Sequence, residues 1–125
     1  YLVSNQEFLG FVEAGGYEQD CFWSNEGLSW RQYTKAQHPA FWKWHNGWNL
    51  RLMTQEIAMA WNWPAEVNFH EAQAFCEWKG QEMGLKIRLP AEDEWHRLCS
   101  QAGVKELDNT VANANIHLDH YASCC

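Results

Sequence analysis

Four side chains near the C-terminus, His117, His120, Cys124 and Cys125, fall within nine residues and offer imidazole nitrogen and thiolate sulfur. Zinc accepts both. Two adjacent cysteines seldom ligate one tetrahedral ion, so the spacing favours a solvated terminal coil over a metal site. A vicinal disulfide or a crosslink between chains is the third use of such a pair. Farther upstream, Glu66 and Asn68 flank Val67 and project to one side of an extended segment. Trp61 and Trp63 lie just before them. A polar pair beside two indoles suits an amino-acid pocket, although it equally suits a hydrogen-bond network that closes a loop, the commoner use. Arg51 and Arg88 are the arginines whose planar fork would match a substrate carboxylate. Each has an alternative role in holding the fold.

Two histidines sit on helical stretches. His96 follows Glu92 by four residues, which places them side by side as a surface pair. His70 falls in the first turn of its helix, where a cation is disfavoured, and reads as a neutral hydrogen-bonding residue.

Three helix starts position these groups. Ser4-Asn5-Gln6-Glu7 has the form of a capping box. Phe8, Phe11 and Val12 follow at helical spacing and Gly15-Gly16 ends the run, which predicts a helix over 5–14. Asn68 with Glu71 three residues on begins a second helix, over 69–83. Its inward face is read as Ala72, Phe75, Cys76 and Lys79, with Ala74 and Trp78 on the flank, and Gly84 closes it. Lys86-Ile87-Arg88-Leu89 reads as a short strand. Pro90 at the first helical position, with Glu92, Asp93 and Glu94 in the first turn, predicts a third helix over 90–102. Trp95, Leu98, Cys99 and Ala102 form its apolar stripe and Gly103 its stop.

The stretch between the first two helices is less regular. It carries seven of the nine tryptophans, from Trp23 to Trp63, with little periodicity, so indoles are expected to fill its core. A short helix is expected within 26–35, a break at His38-Pro39, a turn at Asn46-Gly47, a strand over 49–53 and extended chain over 61–64. Past Leu107 the pattern dissolves into Asn-rich coil.

Composition bounds the function. Hydrophobic residues make up 46% of the 125 and charged residues 20%, the balance of a globular chain. The formal charge is −7 with no Lys/Arg stripe, which argues against nucleic-acid and anionic-membrane partners. No apolar run reaches the roughly 18–20 residues of a membrane span. The five cysteines are odd in number and irregular in spacing, unlike a disulfide framework, and a reducing cytoplasm is the simplest compartment. No leader or initiating Met is visible, and the chain is read as an excised segment.

Val3-Ser4-Asn5-Gln6-Glu7-Phe8, then Pro64 to Trp78, then Arg88-Leu89-Pro90-Ala91-Glu92-Asp93-Glu94-Trp95, in that order, resemble the N-terminal half of a formylglycine-generating-enzyme-like (sulfatase-modifying-factor) domain. That family opens its second signature helix with an Arg-Leu-Pro-Thr-Glu-Ala-Glu-Trp type motif. Here Ala91 and Asp93 replace Thr and Ala. Arg88, Leu89, Pro90, Glu92, Glu94 and Trp95 match and are read as fold-building. The resemblance implies a partial α+β, C-type-lectin-like fold with much irregular structure over 1–125.

Further stretches narrow the resemblance: Phe8 to Tyr17, His38-Pro39-Ala40-Phe41-Trp42, Leu50 to Met53 with Trp61-Asn62-Trp63-Pro64, and Asn113 to Leu118. They look like the 5-histidylcysteine sulfoxide synthases of ovothiol biosynthesis, relatives of the ergothioneine sulfoxide synthases. The resemblance implies a parent enzyme that uses non-haem iron(II) and dioxygen to join cysteine sulfur to the histidine imidazole. It also implies iron ligands from a His-x3-His-x-Glu motif that His38, His45, His70, His96, His117 and His120 do not form. The family's later Gly-Asn-Val-Trp, its catalytic tyrosine and its closing Gly-Phe-Arg are absent too. No catalytic residue is therefore carried over, no cofactor is expected on this segment, and the segment alone is expected to be inactive. Arg51, Trp61, Trp63, Glu66 and Asn68 remain the candidates for contact with small amino-acid substrates. Alternatives are a non-catalytic C-type-lectin-like binding module and a fragment of a formylglycine-generating enzyme. Self-association of such a half-domain is a further expectation.

Overall fold

The computed structural model describes residues 2–101 of the chain. Helix α1 spans Asn5–Glu13, and a 3-10 turn at Asp20–Phe22 leads to α2, Asn25–Thr34. Strands β1 (Trp42–Trp44), β2 (Trp48–Arg51) and β3 (Glu56–Ala58) follow, then α3 (Phe69–Met83) and α4 (Glu92–Gln101). The architecture is α+β: a set of helices packed on α3 and a small antiparallel sheet in the order β1-β2-β3.

Local chemistry starts each helix. The Ser4 hydroxyl accepts the Glu7 N–H, while the Glu7 carboxylate accepts the Ser4 N–H at 3.0 Å. Two more amides of the first turn of α1, which have no partner inside the helix, find carbonyls across the fold. Asn5 N–H donates to Trp63 O (2.8 Å) and Gln6 N–H to Trp61 O (3.0 Å). This explains one departure from the sequence reading. Residues 61–64 are not extended throughout: Trp63 N–H closes a turn on Ala60 O (3.1 Å), which aims the tryptophan carbonyls at α1.

Asn68 and Glu71 form the same reciprocal cap at α3, and Gly84 ends it in the left-handed region (φ 64°). The inward face of α3 differs from the one read in sequence. Glu71, Ala74, Phe75 and Trp78 are buried, whereas Ala72, Cys76 and Lys79 are half-exposed. The helix is turned because it must meet α1, α2 and the 3-10 turn together. It also carries Glu71 to a buried partner.

No strand forms over 86–89. Extended backbone needs a neighbour to become a ladder, and none pairs with this segment among the described residues. Instead the chain leaves α3 by crossing its own last turns, with Leu85 N–H on Gly80 O (2.9 Å). A Cβ at Gly80 would lie 2.6 Å from Leu85 O, so only glycine permits the crossing.

Helix α4 starts two residues later than Pro90 suggests. Ala91 is the cap: its carbonyl accepts Trp95 N–H (2.9 Å) and its N–H donates to the Glu94 carboxylate (2.8 Å). Pro90 precedes the helix. Ala102, Gly103 and the coil beyond Leu107 lie outside the described residues.

The sheet is a meander. Trp42 pairs with Leu50 and Trp44 with Trp48 around the Asn46-Gly47 turn, and Leu50 pairs with Ile57. Both turn residues have positive φ (53° and 135°). The strand read over 49–53 ends at Arg51, and Met53 is fully exposed in the next turn. Aromatic rings make the core. Phe11, wholly buried, has Phe8, Tyr17, Phe22, Trp23, Phe75 and Trp78 around it at centroid distances of 5.4–6.5 Å. Seven of the nine tryptophans are buried or half-buried; Trp44 and Trp95 are exposed. No helix among the described residues is long and apolar enough to cross a membrane.

Candidate functional site

One concavity among the described residues is a cavity of about 790 Å³ between the C-terminal end of α2, the 35–43 loop running into β1, and the 65–68 approach to α3. Its lining joins Trp30, Phe41 and Val67 to the charged side chains of Lys35, Lys43 and Glu66. Lys35 caps α2 in the left-handed region (φ 52°), which swings the chain away from the helix axis and opens the space. Lys43 lies between Trp42 and Trp44 on β1, so strand alternation sends it to the opposite side from the core indole Trp42.

Several polar groups at the cavity wall are already committed. His38 Nδ1 lies 2.9 Å from Pro39 O, and its ring stands edge-on to Trp48 at 5.2 Å. Asn68 Oδ1 accepts the Glu71 N–H (2.9 Å). The buried Glu71 carboxylate accepts the Tyr17 hydroxyl (2.6 Å) and the Asn68 N–H (2.8 Å). Burial raises the Glu71 carboxyl above the ordinary range, against the opposing pull of those two hydrogen bonds and of His38. Burial, with the Glu71 charge behind it, likewise pushes the Tyr17 phenol far upward, so Tyr17 stays the donor.

The residues singled out in sequence do not all converge. Glu66 and Asn68 border this cavity, but Arg51, Trp61 and Trp63 are not in its lining. Arg51 ends β2 opposite Glu56 and is exposed. Trp63 is a core side chain, and Trp61 sits edge-on to Trp42 at 6.2 Å. Arg88 is engaged elsewhere: its guanidinium makes two 2.7 Å bonds to the Glu94 carboxylate. That pair raises Arg88 and holds Glu94 down at about 2. His96 stands 3.5 Å from Glu92 on the α4 surface, the pairing its spacing suggests. His70 departs from its reading, since its buried Nδ1 has no hydrogen-bond partner among the described residues. Its ring lies against Trp30 and Phe69, at 6.2 and 5.9 Å. Lys35 and Lys43 were not visible as site residues in the sequence. Strand alternation through Trp42-Lys43-Trp44 was the available signal for Lys43, and Lys35 carried none.

A second concavity, about 320 Å³ and mostly apolar, runs between α1, α3 and α4. Phe75 and Cys76 line one side, and Leu89, Trp95 and Leu98 the other. Trp95 and Leu98 remain 39% and 53% exposed there. Among the described residues no three His, Cys, Asp or Glu side chains converge to hold a metal ion. His117, His120, Cys124 and Cys125 lie outside the described residues.

Residues 1–123 match the family described as the sulfatase-modifying factor enzyme 1-like domain. The chain is 33% identical over 98 residues to a hercynine oxygenase of Mycobacterium tuberculosis, an alignment covering 78% of this chain and 22% of that protein. It is 34% identical over 98 residues to a hercynine oxygenase of Mycolicibacterium smegmatis, covering 78% of this chain and 21% of that protein. The chain spans about a fifth of the length of the curated relatives it matches.

Proposed function

This chain belongs to the sulfatase-modifying factor enzyme 1-like family, and we propose that it is a segment of a non-haem iron(II)-dependent sulfoxide synthase. The parent enzyme would join the sulfur of cysteine to the imidazole of histidine at the expense of dioxygen. One observation carries this reading: a family match along nearly the whole chain, with relatives named as oxygenases aligned to 98 of its residues. The compound in their name, hercynine, is itself a histidine derivative, which supports an imidazole-bearing substrate.

In this reading the segment is half of a C-type-lectin-like domain in a cytoplasmic enzyme. The described residues do not fit an iron site, because no ligand triad converges among them. No chemical step is assigned to them. Their part is to hold the substrate and shield it from water. Glu66 and Asn68 border the main cavity. Trp61 and Trp63 stand outside its lining, where their carbonyls accept the Gln6 and Asn5 N–H groups of α1. Arg51 remains a candidate for carboxylate contact outside the lining, its backbone N–H donating to the carbonyl of the lining residue Phe41 (2.8 Å).

The alternative of a non-catalytic binding module wants an exposed aromatic surface, and the burial of most tryptophans favours a scaffold instead. The test is turnover by the chain itself with iron(II), cysteine, histidine and dioxygen. No sulfoxide is expected. Product formation by these residues alone would overturn the assignment of the chemistry to other parts of the enzyme.

A further inference from the structure

Among the described residues α4 is set apart from the other helices. Helices α1 and α2 both pack on α3, whereas α4 makes no extensive contact with another helix or strand. Every side chain described on it is exposed, although Trp95 and Leu98 stand three residues apart on one face. That face closes one side of the concavity of about 320 Å³, whose lining holds apolar side chains and the Cys76 thiol and no charged group. Leu2, Trp95 and Leu98 line it while 42%, 39% and 53% exposed. Other large exposed apolar side chains, such as Tyr33 and Met53, lie outside this lining. An apolar groove flanked by an amphipathic helix with water on its apolar face marks a surface built to be covered.

We propose that this groove is the docking site of residues 112–118 of the same chain, which lie outside the described residues. In that stretch Ala112, Ala114, Ile116 and Leu118 alternate with Asn113, Asn115 and His117. Laid out in extended form, it presents one wholly apolar side to a surface and keeps the polar side in water. Groove and segment are thus matched in chemistry. They are matched in reach as well. Helix α4 is about 15 Å long, and the residues between Gln101 and Ala112 can span roughly 35 Å, enough to return along it. The main chain of a docked segment needs hydrogen-bond partners. Lys86 to Leu89, which reaches the groove through Leu89, forms no ladder among the described residues and supplies them. Charge selects this occupant over a second copy. Residues 112–118 carry no formal charge, whereas a second chain would bring a net −7 to a helix whose first turn already holds Glu92, Asp93 and Glu94. Docking of this segment does not depend on which reaction the parent enzyme performs.

Cys76 reports on the groove because its thiol lines it, and the exposed Cys21 serves as an internal standard. Alkylation of the whole chain with N-ethylmaleimide is followed at both thiols by peptide mass spectrometry. Ile116→Asp with Leu118→Asp should uncover the groove and speed labelling of Cys76 about tenfold relative to Cys21. Asn115→Asp with His117→Asp, on the other side of the segment, should change that ratio less than about twofold. Unchanged circular dichroism verifies folding. A second variant decides the matter should the first unfold: Ile116→Cys, in a chain carrying Cys99→Ser, Cys124→Ser and Cys125→Ser. Mild oxidation is expected to join Cys76 to position 116 within one chain. Equal Cys76 labelling in the native and Ile116→Asp, Leu118→Asp chains, or failure of that disulfide to form, would overturn the proposal. Labelling of native Cys76 that quickens on dilution, with the disulfide joining two chains, would assign the groove to a second copy and overturn it as well.

Discussion

The Tyr17 hydroxyl donates a 2.6 Å hydrogen bond to the Glu71 carboxylate, joining residues 54 positions apart in a buried setting. Through it the loop after α1 is fastened to the first turn of α3. Glu71 simultaneously caps that helix by accepting the Asn68 N–H. One carboxylate therefore starts a helix and locks it to the core.

Tyr17→Phe removes the donor and leaves a buried carboxylate oxygen unpaired. A loss of about 1–3 kcal/mol is expected, measured as a lowered urea midpoint at unchanged slope. A midpoint equal to that of the native chain would mean the bond is replaced by solvent.

The same pair sets a pH dependence. The Glu71 carboxyl is raised in the folded state, so the folded chain binds the proton more tightly than the unfolded one. The associated stability is present below the ordinary glutamate value and is lost as pH rises through the raised one. Glu71→Gln keeps a cap residue and an acceptor for Tyr17, and should flatten this decline as pH rises above the ordinary glutamate value. Stability curves of the two chains that run parallel across that window would contradict the shift.

Glu94 carries the opposite sign. Arg88 and the Ala91 N–H hold its carboxyl at about 2, so its favourable contribution exists above the ordinary value and is lost as pH falls through about 2. Both side chains of the ion pair are well exposed, and the energy is small. The observable is the titration of the Glu94 carboxyl carbon by NMR. Its midpoint should move back toward the ordinary glutamate value in Arg88→Met and stay low in His96→Ala.

Ala91 stands where the signature motif of the family has threonine. It supplies only half a capping box, the N–H to Glu94, because it has no side-chain oxygen to return. Ala91→Thr should add the missing acceptor and stabilise α4 by about 0.5–2 kcal/mol. A gain in helical ellipticity and in thermal midpoint would show it. A lowered midpoint would indicate that the methyl group packs on something the hydroxyl displaces.

Gly80→Ala should be among the most damaging single-methyl changes, since its Cβ would meet the Leu85 carbonyl at 2.6 Å. A cost of about 1–3 kcal/mol is expected from forcing the backbone apart. Urea unfolding checks it, with Gly47→Ala as the comparison, where the new methyl meets open space but the φ of 135° is unfavourable.

What was legible in the sequence was chemistry that acts within one turn of chain. Ser4 with Glu7, Asn68 with Glu71, and Asn46-Gly47 announce their structures because donor, acceptor and backbone conformation are specified by residues three or fewer apart. What was not legible depended on distant partners. The alternation of Lys86 to Leu89 suits a strand, yet no strand pairs with it among the described residues. Glu71 reads as a cap and gives no sign that Tyr17 will bury it, so the inward face of α3 was placed about one residue off. Glu66, Lys35 and Lys43 line one cavity from three separate places in the chain, the approach to α3, the end of α2 and β1, and no local pattern encodes it.

The most direct measurement is mass-spectrometric detection of product from the longer polypeptide that contains this chain, loaded with iron(II) and given cysteine, histidine and dioxygen. A new species with the mass of cysteine joined to histidine plus one oxygen, its formation dependent on both amino acids, is the expected result. Consumption of neither amino acid by the iron-loaded protein, with formylglycine formed on a cysteine-containing peptide instead, would contradict the sulfoxide synthase assignment.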